Sequence, residues 1–133
     1  MAIEFVVTTL IPASPEEVYN AWLSSEGHSS MTGSLASISA KIGDEYSAWD
    51  GYIHGKNLTL DYGNRIVQTW RTSEFSDDEA DSRIEVTLEP VGHQTKLTLH
   101  HTGLPPHGTQ YEQGWVDSYF EPMKEYFANR GKL

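Results

Sequence analysis

The stretch "GWVDSYFEPMKEYF", Gly114 to Phe127, decides how this chain folds. Trp115, Tyr119, Met123 and Phe127 recur every four residues, the spacing of an apolar stripe along one side of a helix. Pro122 interrupts that stripe with a residue that has no N–H, at a cost of about 3 kcal/mol in a helix interior. It frees the carbonyl of Ser118 and predicts a bend near Tyr119, so that the two halves can follow a curved surface. The bend either widens one end of a space under the helix or only improves packing. Working outward, the helix extends from about Thr109 to Arg130. That is about 33 Å at 1.5 Å per residue, enough to cross several strands, with Gly131 as its stop.

The strands lie upstream. From Ser37 to Thr102 the breaks "IGDE", "WDGY", "DYGN", "SDDEAD" and "VGHQ" divide the chain into about five strands, the pattern of an antiparallel meander. Alternation marks the covered face. Ile84, Val86 and Leu88 share one side of "RIEVTLE"; Leu97, Leu99 and His101 share one side of "KLTLHH"; Ile66, Gln68 and Trp70 share one side of the strand before them. Ahead of these, "IEFVVTTL" is rich in β-branched residues and reads as a first strand. "SPEEVYNAW" opens a helix with Ser14 as N-cap, Pro15 in the first turn and Glu17 closing a capping box, and Val18, Ala21 and Trp22 on one face. "SSEGHSSM" adds a second short helix or turn capped by Ser24 or Ser25. The expected architecture is α+β: an antiparallel sheet wrapped around a long C-terminal helix, with two short helices after the first strand.

Composition narrows the function. The 133 residues suit one domain spanning 1–133. Nineteen acidic residues against nine basic ones give a net charge of −10, and no basic cluster breaks that background, which argues against nucleic acid and anionic membranes as partners. No apolar run is long enough to span a bilayer, and "MAIEFVVTTLIP" lacks the basic start of a signal peptide, so a cytoplasmic location is expected. With no cysteine there is no disulfide, no thiolate chemistry and no Cys-ligated zinc. "SDDEAD" reads as a solvated turn, since its spacing fits no calcium loop.

The order of pieces now carries a resemblance. "SPEEVYNAW" (14–22), "MTG" (31–33), "WDGYIHGKNL" (49–58), "RIVQTWR" (65–71) and "GWVDSYFEPM" (114–123) resemble, in order, the C-terminal domain of the activator of the ninety-kilodalton heat-shock chaperone's ATPase. That family sits in the START-like, birch-pollen-allergen-like (SRPBCC) superfamily. The resemblance implies a helix-grip fold. It also implies functions that range over lipid carriers, cyclases, hydrolases and chaperone regulators, so function has to be argued from the site. The eukaryotic activator has a further N-terminal domain that shares in chaperone binding, for which these 133 residues are expected to leave no room.

A helix gripped by a sheet leaves a space where small molecules bind. The expected wall comprises Trp22, Met31, Gln68, Trp70, His101, Trp115, Tyr119 and Met123. The ordinary alternative is that these residues simply form the core. Among six histidines, His100 and His101 leave opposite faces of a strand and cannot share a metal. His101 alone points inward, as a base or ligand anchor with Gln68 or Tyr119 nearby, or as a core residue satisfied by a neighbour. His28, His54, His93 and His107 are expected in turns at the surface. Asp50 and Asp61 stand at glycine turns, whereas Gly51 and Gly55 allow "WDGYIHG" to bring backbone close to the cavity mouth. No nucleophile elbow or phosphate loop is present.

The resulting expectation is a protein that binds a small apolar or aromatic ligand, with no catalytic residue, cofactor or metal assigned. Trp70, Trp115, Tyr119 and Met123 would supply contact, and His101 and Gln68 a polar handle. Two alternatives stand beside it: a chaperone-ATPase regulator working through an acidic surface, and an enzyme acting on a small aromatic or polyketide-like substrate. The edge of the first strand and the "GLPPHG" loop would serve a homodimer if the protein is not a monomer.

Overall fold

A computed structural model of the chain describes residues 3–130. Strand β1 (Ile3–Ile11) leads into helices α1 (Pro15–Trp22) and α2 (Ser25–Thr32). Five strands follow, β2 (Glu45–Ala48), β3 (Ile53–Asp61), β4 (Arg65–Thr72), β5 (Ser82–Val91) and β6 (Gln94–Leu104). The last element is one helix in three parts: α3 (Gln110–Trp115), a π turn (Val116–Phe120) and α4 (Glu121–Arg130). The expected stop at Gly131 lies outside the described residues.

All six strands form a single antiparallel sheet in the order β1-β6-β5-β4-β3-β2. β1 returns to pair with β6 because α1 and α2 carry the chain across the covered face, so β1 and β2 are the two edges. The alternation sets which side is covered: Ile66, Gln68, Trp70, Ile84, Val86, Leu88, Leu97, Leu99 and His101 are all buried. Two strand irregularities, between Ile3 and Phe5 on β1 and between Asn57 and Thr59 on β3, interrupt the register.

The capping chemistry is as the sequence implies. Ser14 accepts from the Glu17 N–H while Glu17 reaches back to the Ser14 N–H, and Ser24 caps α2 by accepting from Gly27. On α1 the buried face is Pro15, Val18, Tyr19 and Trp22. Ala21, expected there, is only half-buried, and Tyr19 takes its place on the buried face.

Pro122 follows a π turn, which corrects the expectation of a plain bend at Tyr119. The Glu121 N–H reaches the Val116 carbonyl five residues back, and Pro122, which has no N–H to donate, follows directly after this wide turn. The stripe explains why a wider turn is used. At 3.6 residues per turn each step of four overshoots by about 40°, so a strict four-residue stripe drifts around an α-helix. One wide turn in mid-helix offsets part of that drift, and Tyr111, Trp115, Tyr119, Met123 and Phe127 are all buried.

Candidate functional site

Three tryptophans and two tyrosines build the site. Trp70 projects from β4, while Tyr111, Trp115 and Tyr119 descend from the C-terminal helix, and their rings pack with centroids 4.7 to 5.6 Å apart. Trp49 arrives from the β2–β3 turn. It and Asp50 take φ values of 53° and 57°, and Gly51 follows at 89°, three consecutive residues in the left-handed region. For the two non-glycine residues this conformation costs about 1 kcal/mol or more each. The strained turn carries the Trp49 ring to within 6.5 Å of Tyr119, so "WDGYIHG" does approach the space under the helix.

Between these rings lies a cavity of about 350 Å³, at the small end of the range of about 300–1,000 Å³ typical of ligand sites. Its walls are Trp49, Ile53, Trp70, Tyr111, Trp115 and Tyr119, with Gly114 and Ser118 closing the helix side. Tyr52, Glu74 and Gln110 form the rim, where the Tyr52 hydroxyl donates to the Glu74 carboxylate. Burial first, and then that bond, raise the Tyr52 phenol well above its usual range. Inside, the Tyr111 hydroxyl is held at 2.7 Å from Thr72 Oγ1.

Of the eight expected wall residues, Trp70, Trp115 and Tyr119 line this cavity. Trp22, Met31, Gln68, His101 and Met123 stand behind the wall and not on it, each buried in the core. The polar pair expected to serve as a ligand handle is occupied by the protein itself. Trp115 Nε1–H donates to His101 Nδ1 at 3.0 Å, His101 Nε2–H donates to Ser82 Oγ at 2.9 Å, and the Ser82 hydroxyl donates to the Trp70 carbonyl at 2.7 Å. Burial lowers the His101 pKa to about 3, so the ring stays neutral. Gln68 is equally engaged: its Oε1 accepts from Trp22 Nε1–H at 3.2 Å and its Nε2–H donates to Asn57 Oδ1 at 2.8 Å. Asn57 in turn donates to the carbonyls of Ser39 and Lys41, tying the loop after α2 to the sheet.

His28 corrects the sequence reading, which placed it in a surface turn. It sits in α2 with 1% of its surface exposed. Its Nδ1–H donates to the Trp22 carbonyl at 2.8 Å, which leaves Nε2 to accept from the Tyr119 hydroxyl at 2.7 Å. Burial lowers its pKa and raises that of Tyr119, so both stay neutral. The signal that could have found it is the spacing His28, Met31, Thr32, a buried i, i+3, i+4 face interrupted by serines. His93 and His107 lie in exposed turns and His100 faces outward, as expected; His54 is exposed but belongs to β3 and not to a turn. Among the described residues no cluster of three metal-ligating side chains occurs, and no helix is long and apolar enough to cross a membrane.

Two buried polar atoms among the described residues lack a partner: Nε1 of Trp49 and Nε1 of Trp70. Both residues line the cavity, although the two nitrogens themselves are covered by protein atoms.

A sheet covered by two short helices and a long C-terminal helix, with an aromatic cavity between helix and sheet, defines a START-like helix-grip domain of SRPBCC type. Within that class the chain belongs to the family of "Activator of Hsp90 ATPase homolog 1-like protein", whose model matches residues 12–128. It is 28% identical over 122 residues to the activator of 90 kDa heat shock protein ATPase homolog of Dictyostelium discoideum, covering 90% of this chain and 32% of that protein. Against the human homolog 1 it is 28% identical over 121 residues, covering 90% and 36%. The chain thus spans about a third of the length of these relatives. Among solved structures, an HSP90 activator from Plasmodium falciparum superposes with a TM-score of 0.86 at 22% identity, over 95% of this chain and 96% of that one. The solution structure of the Aha1 dimer from Colwellia psychrerythraea gives 0.80 at 16%, over 97% and 99%. These two likenesses concern the fold.

Proposed function

We propose that this protein binds a small, mostly apolar aromatic molecule in the cavity between its C-terminal helix and sheet. The observation that supports this is the wall itself: five large aromatic rings and Ile53 line about 350 Å³ that the core leaves unfilled. Trp70, Trp115 and Tyr119 give ring contact, as does Trp49 from its strained turn. Native mass spectrometry of the protein purified from its own cells tests the reading. A stoichiometric extra mass released on denaturation supports it; an apo mass combined with no fluorescence response of the wall tryptophans to a panel of two-ring aromatics rejects it. The same spectrum reads the oligomeric mass and decides between a monomer and a homodimer built on the β1 edge.

A second reading, carried by family membership, is that of a chaperone-ATPase regulator. The relatives are named as activators of the 90 kDa heat shock protein ATPase, and a net charge of −10 suits a basic partner surface. Pull-down and ATPase assays with the organism's own heat-shock chaperone should show association that weakens as salt rises. Neither binding nor a rate change at low salt removes this reading and leaves the cavity reading intact.

A further inference from the structure

The fold leaves one edge of its sheet unpaired, and we infer that this edge, β1, is completed by β1 of a second copy of the chain, antiparallel and with Thr8 opposite the partner's Thr8. From Phe5 to Ile11 the strand pairs with β6 residue by residue, without interruption. Outside that ladder the backbone of residues 4–10 makes no hydrogen bond among the described residues. The other edge is treated differently: Ser37 and Ser47 exchange both backbone hydrogen bonds at 2.9 Å, so the loop after α2 shields β2. The open edge, "FVVTTLI" from Phe5 to Ile11, has none of the charges, prolines or bulges that keep edge strands apart. On its outer side Val6 is 56% exposed and Leu10 45%. On the helix side Val7 and Thr9 are only half-buried. A free row of N–H and C=O groups beside exposed apolar side chains is a template for one more strand.

The residue order specifies which strand. About Thr8 the sequence is matched in both directions: Val6 and Leu10 flank it on the outer face, and Val7 with Thr9 and Phe5 with Ile11 flank it on the helix face. A two-fold axis through Thr8 therefore sets Val6 against the partner's Leu10 and Leu10 against the partner's Val6, while Phe5 meets the partner's Ile11. Glu4, the one charged residue of β1, falls opposite the partner's Pro12, beyond the paired stretch, and keeps its 2.7 Å contact with His100. Centring on Val7 instead would face Glu4 with the partner's Leu10, and centring on Thr9 would face Val6 with the partner's Pro12. Only the Thr8 centre covers both exposed apolar side chains with apolar ones. Opposed residues of an antiparallel pair share a face, so the two six-stranded sheets run on as one with both C-terminal helices on the same side.

The absence of cysteine makes the test direct. In a Thr8→Cys dimer the two thiols face one another, whereas in Glu4→Cys they stand about 26 Å apart along the joined strands, eight positions at about 3.3 Å each. Bismaleimidoethane, a short thiol cross-linker, should therefore yield covalent dimers of Thr8→Cys and not of Glu4→Cys, under conditions where sedimentation gives the wild type the mass of two chains. Replacing both Val6 and Leu10 by Lys sets like charges against each other and should raise the dimer dissociation constant at least about tenfold. Val6→Lys combined with Leu10→Glu sets opposite charges against each other in the same register and should return it to within about threefold of wild type. Circular dichroism checks that these exposed substitutions leave the monomer folded, and the cross-linking pair reads the register without them. A wild type still monomeric at about 1 mM overturns the inference. Equal cross-linking at both positions, or a Lys–Glu variant as weak as the Lys–Lys one, overturns the register. None of these outcomes bears on the ligand-binding reading.

Discussion

The hydroxyl of Tyr119 donates to Nε2 of His28 across 2.7 Å, joining two residues 91 positions apart in the chain. Through the other ring nitrogen the same histidine holds the Trp22 carbonyl at the end of α1. One imidazole therefore fixes the π turn of the last helix to both short helices, directly behind the cavity wall. Replacing it with alanine leaves a buried hydroxyl and a buried carbonyl short of partners and opens a void. His28→Ala should cost about 3 kcal/mol in denaturant unfolding, and Tyr119→Phe about 1–2 kcal/mol. A loss below about 0.5 kcal/mol for His28→Ala would show that the bond carries no weight.

His28 and His101 should occupy opposite neutral tautomers. His28 carries its proton on Nδ1 because a carbonyl faces that atom, whereas His101 carries it on Nε2 because Trp115 donates to its Nδ1. Imidazole nitrogen shifts at pH 7.5 should show both rings neutral, and His101 should still be neutral at pH 5. A protonated signature under those conditions contradicts the arrangement.

Stability should fall on acidification for the same reason. Both folded-state pKa values lie below the ordinary histidine value of 6.5, His101 at about 3. The unfolded chain therefore binds more protons as pH drops, and the stabilisation present above pH 6.5 is lost on the way down towards pH 3. The slope is up to about 1.4 kcal/mol per pH unit for each ring. Urea midpoints between pH 7 and 4.5 measure it, and a flat profile over that range would contradict the burial of these rings in their neutral form.

Gly55 is the position where a side chain should be least tolerated. A Cβ there would stand 2.0 Å from the Thr69 carbonyl oxygen, which is backbone and cannot turn aside. Gly55→Ala should destabilise by about 3 kcal/mol or more through a disturbed β3–β4 pairing. Gly33→Ala, at φ 81° with open space around it, should cost only about 1 kcal/mol. Equal losses in thermal unfolding would refute the contact.

Asn57→Ala should release the loop after α2. The side chain accepts from Gln68 and donates to the Ser39 and Lys41 carbonyls, so its removal strands three buried or half-buried polar groups. About 2–3 kcal/mol of stability and the hydrogen-exchange protection of residues 39–44 should be lost together. Protection unchanged from wild type would place the anchor of that loop elsewhere.

The sequence by itself determined the elements and the faces they bury. Caps such as Ser14 with Glu17, alternation such as Ile84, Val86 and Leu88, and the four-residue stripe of the last helix are short-range patterns whose physics is complete within a few residues. Their order was enough to give the α+β helix-grip architecture and the family. Only the tertiary structure decided the rest. His28 is a core residue because α2 folds back under the C-terminal helix; the spacing His28, Met31, Thr32 marks a face of α2 but does not say what covers it. His101 and Gln68 lost the part of ligand handle because Ser82, Trp115, Trp22 and Asn57 saturate them first, partners 11 to 46 residues away. Trp49 joined the wall through a left-handed turn that propensity disfavours. Burial and hydrogen-bond satisfaction are properties of surfaces brought together over long separations, so the inventory of aromatic residues was legible in the chain, while which of them face empty space was not.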